Sequence, residues 1–200
     1  MARFSRVTLC ASSVLALVLS AAAAYAAAAP VHYSVDAARS LLRFSFVQAG
    51  AENTGRFRSL KGDIAFAPDN LAASKIDVTI DVGSLDTGDE ERDTTLKGAD
   101  LFDVAKYPQA RFVATKLVAN GTSRFDAQGK LTIRNVTRDL NVPITFQTKT
   151  EQGKTVGYMT GRVTIRRLDF GVGQGEWKST EWVNDNVTVS FSLRLVPAAT

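Results

Sequence analysis

From residue 31 to residue 196 the chain alternates apolar and polar positions with period two, the mark of strands with one buried and one wet face. In the clearest run Ile76, Val78, Ile80 and Val82 share one face, and Lys75, Asp77, Thr79 and Asp81 share the other. Near the C-terminus Val187, Val189, Phe191, Leu193 and Leu195 alternate with Thr188, Ser190, Ser192 and Arg194. Leu42, Phe44 and Phe46 alternate in the same way, as do Val142, Ile144 and Phe146, where Pro143 points to an edge or a strand start. Weaker runs cover residues 56–66, 111–118, 123–133 and 156–166. Gly62 inside the first of these predicts a bulge or a sharp bend. Pro68-Asp69-Asn70, Asn120-Gly121-Thr122 and Gln152-Gly153-Lys154 are turn signals, and the last two fit hairpins.

One segment breaks the alternation. Thr87 and Glu90 stand three residues apart as a capping box, with Asp89, Glu90 and Glu91 at the positive end of the helix dipole. A short helix to about Leu96 is therefore predicted, followed by a second turn at residues 99–103 that ends before Tyr107-Pro108. The result is an all-β chain with a short helical insertion, of about eight antiparallel strands, folded as a sandwich or a barrel. Nothing resembles the Cys-Trp-Cys spacing of an immunoglobulin sandwich. A barrel of this size is either filled by its side chains or holds one small ligand, and periodicity alone does not choose.

The first residues alter the picture of location. Arg3 and Arg6 precede an apolar run over residues 7–19, and Ala24-Tyr25-Ala26 fits the small-x-small cleavage pattern. The run is shorter than the roughly 20 apolar residues that span a bilayer, so residues 1–26 read as a cleaved export signal. Residues 27–200 then form a single domain, expected in the periplasm. Cys10 is the chain's one cysteine, so this domain has no disulfide and rests on its core. Loss of Arg3 and Arg6 halves the net charge of +4, and the remaining charges are interspersed. No nucleic-acid surface is indicated.

Catalytic chemistry has little material. His32 is the chain's one histidine and lies at the start of the domain, so a Ser-His-Asp or Cys-His arrangement has nothing else to be built on. Zinc needs three or four Cys, His or carboxylate ligands, and one histidine with no cysteine in the domain nearly excludes it. Asp86 to Asp93 lacks the alternating ligands and central glycine of a calcium loop and reads as helix capping. Gly171, Gly173 and Gly175 do not open a helix in a βαβ unit, so they read as a loop beside a barrel mouth. An acid–base pair such as Asp93 and Asp103 is the remaining enzymatic alternative, acting on a lipophilic substrate. Arg92-Asp93 reads first as an ion pair fastening the helix to the barrel, and second as a contact to a ligand head group. Arg166 and Arg167 carry the same ambiguity. Trp177 and Trp182 line the mouth or pack the long loop. An outer-membrane barrel would need a continuous apolar outer face, which Lys75, Asp77 and Asp81 interrupt.

A further set of residues runs in order along almost the whole domain: Tyr33-Ser34-Val35-Asp36, Gly55-Arg56-Phe57, Gly62-Asp63-Ile64-Ala65-Phe66, and Ile80 through Gly88. It continues with Leu101-Phe102-Asp103, Tyr107-Pro108 with Phe112, Gly129 through Ile133, and Arg167-Leu168-Asp169-Phe170-Gly171. The set resembles the YceI-like family of exported lipid- or polyisoprenoid-binding proteins. The resemblance implies a lipocalin-like antiparallel barrel with an internal tunnel for a polyprenyl chain or a quinone tail; no cofactor is expected. Histidines frequent in that family are replaced here by Arg39 and Gln48. A family glycine is replaced by Asn135, a side chain that tolerates a left-handed backbone.

On this reading Phe44, Phe46, Phe57, Phe66, Phe112, Phe146 and Phe191 coat the tunnel with Ile76, Val78, Ile80, Phe102 and Phe170. Arg92, Arg167 and Trp177 are the candidate head-group contacts. The partner is an isoprenoid or another long-chain lipophile, with no stable insertion in a membrane. Each buried CH₂ of such a chain contributes about 0.8 kcal/mol. Two or three isoprene units therefore offset the several kcal/mol lost on association. The same phenylalanines would equally fill a solid barrel, and only the volume left between them decides.

Overall fold

The structure, a computed structural model, describes residues 28–198. The leader expected over residues 1–26 lies outside them. The strands are β1 (Val31–Val35), β2 (Leu41–Gln48), β3 (Ala51–Phe57), β4 (Leu60–Phe66), β5 (Lys75–Asp81) and β6 (Leu85–Asp86). After the helix α1 (Glu90–Lys97) follow β7 (Gln109–Ala119), β8 (Arg124–Ile133), β9 (Val136–Glu151), β10 (Lys154–Arg166) and β11 (Val183–Pro197). Three pairs, β1/β2, β3/β4 and β5/β6, are the halves of single bent staves, so the sheet is an eight-staved antiparallel meander. It closes where β11 pairs with β1, Val35 opposite Leu195, and with β2, Phe44 opposite Val189. Closure pairs both ends of the meander and so removes its free edge strands, the standing hazard of an antiparallel sheet.

Local chemistry sets the bends and turns. The β1/β2 bend is pinned by Arg194, whose guanidinium donates to Asp36 at 2.8 Å and to Glu151 at 2.6 Å. The hairpins β2–β3 and β9–β10 have two-residue loops, Ala49-Gly50 and Gln152-Gly153, with positive φ at both positions. That geometry matches the strand twist. Several local expectations are corrected. The run over residues 56–66 is two strands, turned at Arg58 and Ser59. Gly62 sits in unbroken register opposite Val78 and makes room for Val35, so it marks a close approach rather than a bulge. Pro143 lies in the middle of β9, where pairing with β10 ends at Ile144 opposite Gly161. Its missing N–H costs no ladder bond there. At the β8–β9 turn the left-handed residue is Arg134, with φ 55°, not Asn135.

The helix starts two residues later than the capping box predicts. Asp89 is the N-cap, accepting from the Arg92 N–H at 3.0 Å. Thr87 is instead held by Asp93, whose Oδ1 accepts from its backbone N–H at 2.9 Å and its hydroxyl at 2.7 Å. No residue of α1 is fully buried, so the helix rests across one end of the barrel rather than entering its core. The other end is solid. Phe66 meets Phe146 with ring centroids 4.6 Å apart and Phe125 edge-on at 5.2 Å, and Tyr33 abuts Phe146 at 6.0 Å. Ile64 and Leu195, both fully buried, complete this plug.

Candidate functional site

Above the plug the inward side chains do not meet, and a cavity of about 540 Å³ runs toward α1. This falls within the roughly 300–1,000 Å³ of small-molecule sites. Its walls include Phe44, Phe46, Phe57, Ile76, Val78, Ile80, Phe102, Phe112 and Phe191. Leu42, Leu60, Leu140, Val163, Val189 and Leu193 line it too, although none of them was among the expected wall residues. Three expected wall residues lie elsewhere. Phe66 and Phe146 belong to the plug. Phe170 packs with Val172 against Leu131 and Ile133, where the Arg167–Phe170 turn fills the seam left as β9 and β10 part. The physical reason is depth: alternation sets which face a side chain takes, whereas its height along the axis follows from strand stagger.

The lumen stays open because large rings lie flat on its wall. Along the lumen Phe44 covers Gly55, Phe191 covers Gly161 and Phe112 covers Gly129, and within the plug Phe146 covers Gly157, each glycine on a neighbouring strand. A Cβ at Gly157 would stand 2.9 Å from the Phe146 ring, and at Gly129 2.9 Å from the Phe112 ring. At Gly55 and Gly161 it would overlap Phe44 and Phe191 outright. At Gly55 the ring alone stands in the way, so an ordinary residue there would force Phe44 up into the lumen, whereas at Gly129 and Gly161 a Cβ would also strike main chain, the Val113 and Pro143 carbonyl oxygens. The sequence did hold a signal for this, since glycine at an inward position of an alternating strand marks close approach.

Polar side chains gather only at the end near α1: Gln48, Asp89, Glu91, Arg92, Thr95 and Arg167. Leu96 on α1 packs, as Trp177 does, against the cluster of Phe44, Phe46 and Val183, so the helix forms a partial cover. Arg92 does not fasten the helix to the barrel, as its nearest carboxylate is Asp89 on its own helix start, at 3.5 Å. That leaves its guanidinium beside the cavity. Arg167 is different. It is 5% exposed, and its five N–H groups serve five main-chain carbonyls, those of Asn184, Val172, Trp177, Ser179 and Val183, at 2.7–3.2 Å. Burial pulls its pKa down, yet no donor remains for a ligand. Arg167 braces the loop that brings Trp177 to the mouth. Trp182, by contrast, is 69% exposed and lies outside the lining. Arg39 projects into solvent beside Asp36, whereas Gln48 sits at the mouth.

A closed antiparallel barrel with an apolar interior and a polar, helix-covered mouth defines the class of lipocalin-like barrels. Residues 33–195 match the model of the YceI-like domain, and the chain belongs to that family. A UPF0312 protein of Vibrio parahaemolyticus is 35% identical over 144 residues, 70% of this chain and 72% of its own. One from Pseudomonas savastanoi is 34% identical over 153 residues, 74% and 76% of the two chains. Among solved structures, Burkholderia cenocepacia BcnA superposes with a TM-score of 0.76 at 33% identity, covering 83% of this chain and 99% of its own. A polyisoprenoid binding domain from Saccharophagus degradans shares the fold, with a TM-score of 0.67 at 20% identity over 84% of this chain and 99% of its own.

Proposed function

We propose that this protein is an exported carrier that holds the hydrocarbon tail of one isoprenoid, a polyprenyl chain or a quinone tail, in its barrel and performs no chemistry on it. The observation that carries this reading is the apolar cavity of about 540 Å³, polar only at its α1 end. Such a wall rewards length and apolarity in a ligand, and the clustered polar groups select a molecule with one polar end. The titratable groups of the lining, Asp89, Glu91, Arg92 and Arg167, all stand at the mouth, away from where a buried chain would lie. Arg92 then contacts the head group, while Arg167 keeps the rim in shape. The name of the Saccharophagus domain, and the leader-like N-terminus that fits export to the periplasm, support the same reading.

The test is organic extraction and mass spectrometry of protein purified from the cells that make it. A stoichiometric isoprenoid is expected. Titration with a quinone should also quench Trp177 fluorescence, and Trp177→Phe should remove most of that signal while Trp182→Phe should not. Protein that carries no lipophile and takes up neither quinone nor polyprenol refutes the carrier reading.

A further inference from the structure

The outer face of the barrel carries a second concavity, of about 500 Å³, on the opposite side of the wall from the lumen. It crosses β10, β11, β2 and β3 in one row of registered positions: Arg162 opposite Ser190, Ser190 opposite Arg43, and Arg43 opposite Arg56. With strands about 4.8 Å apart, the three arginines span about 14 Å, within reach of a common ligand. Beside them Thr188 adds a hydroxyl to the floor. Like charges directly opposite on a sheet destabilise it, so Arg43 facing Arg56 is a placement that pairing alone disfavours.

The carboxylates nearby offset Arg56 but leave Arg43 and Arg162 without a partner among the described residues. Asp86 is already engaged by Arg56 at 2.8 Å and Arg58 at 2.7 Å. Glu52, the other acid of the groove, forms no ion pair among the described residues, and neither does Arg43 or Arg162. Guanidinium donors on three strands, with hydroxyls between them, suit an acceptor-only tetrahedral anion approached from several directions. We infer that this groove is a binding site for a phosphate-bearing anion of more than one charge, of the size of a diphosphate, held by Arg43 and Arg162 with the terminal N–H groups of Arg56 that Asp86 does not take. The site lies outside the lumen and does not depend on what the lumen carries.

The experiment is calorimetric titration of the folded protein with inorganic pyrophosphate at low ionic strength. A parallel arm floats the protein with phosphatidylcholine vesicles, with and without phosphatidic acid. Saturable pyrophosphate binding is expected, weakened at least tenfold in Arg43→Gln/Arg162→Gln and less than twofold in Arg138→Gln, which removes an exposed arginine elsewhere on the barrel. The circular dichroism of each variant verifies its fold, and Arg43→Gln alone should melt no lower than the parent, because Arg43 is exposed and forms no ion pair among the described residues. Flotation with phosphatidic acid that pyrophosphate competes away identifies a lipid head group as the source, and pyrophosphate binding without flotation identifies a soluble phosphate. Absence of saturable binding, equal weakening in Arg138→Gln, or flotation that survives the double substitution overturns the inference.

Discussion

At Gly55 one missing methyl group decides where a phenylalanine goes. The atoms a Cβ would strike there all belong to the Phe44 ring, a side chain free to turn, rather than to backbone. Gly55→Ala should therefore fold, lose about 1–3 kcal/mol in denaturant unfolding, and tip Phe44 into the lumen. On the carrier reading, its affinity for a long-chain quinone should fall at least tenfold. Unchanged affinity would show that the ring does not bound the occupied volume. Arg167 acts on the same scale by other means. Arg167→Met strips the donors from five carbonyls and should cost about 3 kcal/mol, measured by urea titration. The arginine is plain in the sequence. Its role is not, because its partners are main-chain carbonyls up to 17 residues away, which no side-chain pattern records.

Among the elements, α1 is the one whose behaviour differs most from its neighbours. It buries no residue fully and touches the barrel chiefly through Leu96, so its hold is weak beside that of the strands. Leu96→Asp should leave the melting temperature within a few degrees of the parent. In stopped-flow displacement of a quinone, read by Trp177, it should raise the dissociation rate about tenfold, which corresponds to about 1.4 kcal/mol. An unaltered rate would mean that exit does not pass this helix. The existence of α1 was legible in its acidic first turn and its capping residues. Its first residue was not, because Thr87 and Asp89 are both competent caps. Only the path of the chain arriving from β6 gives the N-cap position to Asp89 and turns Thr87 toward Asp93.

The whole molecule is held by its closed sheet, and its outer charges tie the staves together in a pH-dependent way. Hydrogen bonds from Arg56 and Arg58 bring the Asp86 pKa down to about 2. Tyr158, with Arg194, holds Glu151 below its usual value, and Arg111 does the same for Asp77. For each group the folded pKa lies below the unfolded one. The stabilisation is thus complete above an ordinary carboxylate pKa of about 4 and is lost as pH falls through the folded value. The melting temperature should accordingly hold between about pH 7 and pH 5 and decline from about pH 4 toward pH 2, followed by differential scanning calorimetry. Asp86→Asn should flatten the lower part of that decline. A decline beginning at pH 6 would point to groups other than these carboxylates.

The sequence by itself determined the antiparallel class, the inward parity of the main strands, the existence of the helix and the family, since each rests on short-range periodicity or on residues in fixed order. Tertiary structure alone decided which of those inward residues wall a chamber and which seal its base. Phe66 and Phe44 have equal claims in the alternation, but strand stagger and closure set Phe66 against Phe125 and Phe146, and Phe44 over Gly55. Alternation is a property of neighbours along the chain, whereas depth in a barrel belongs to pairings between residues far apart in it.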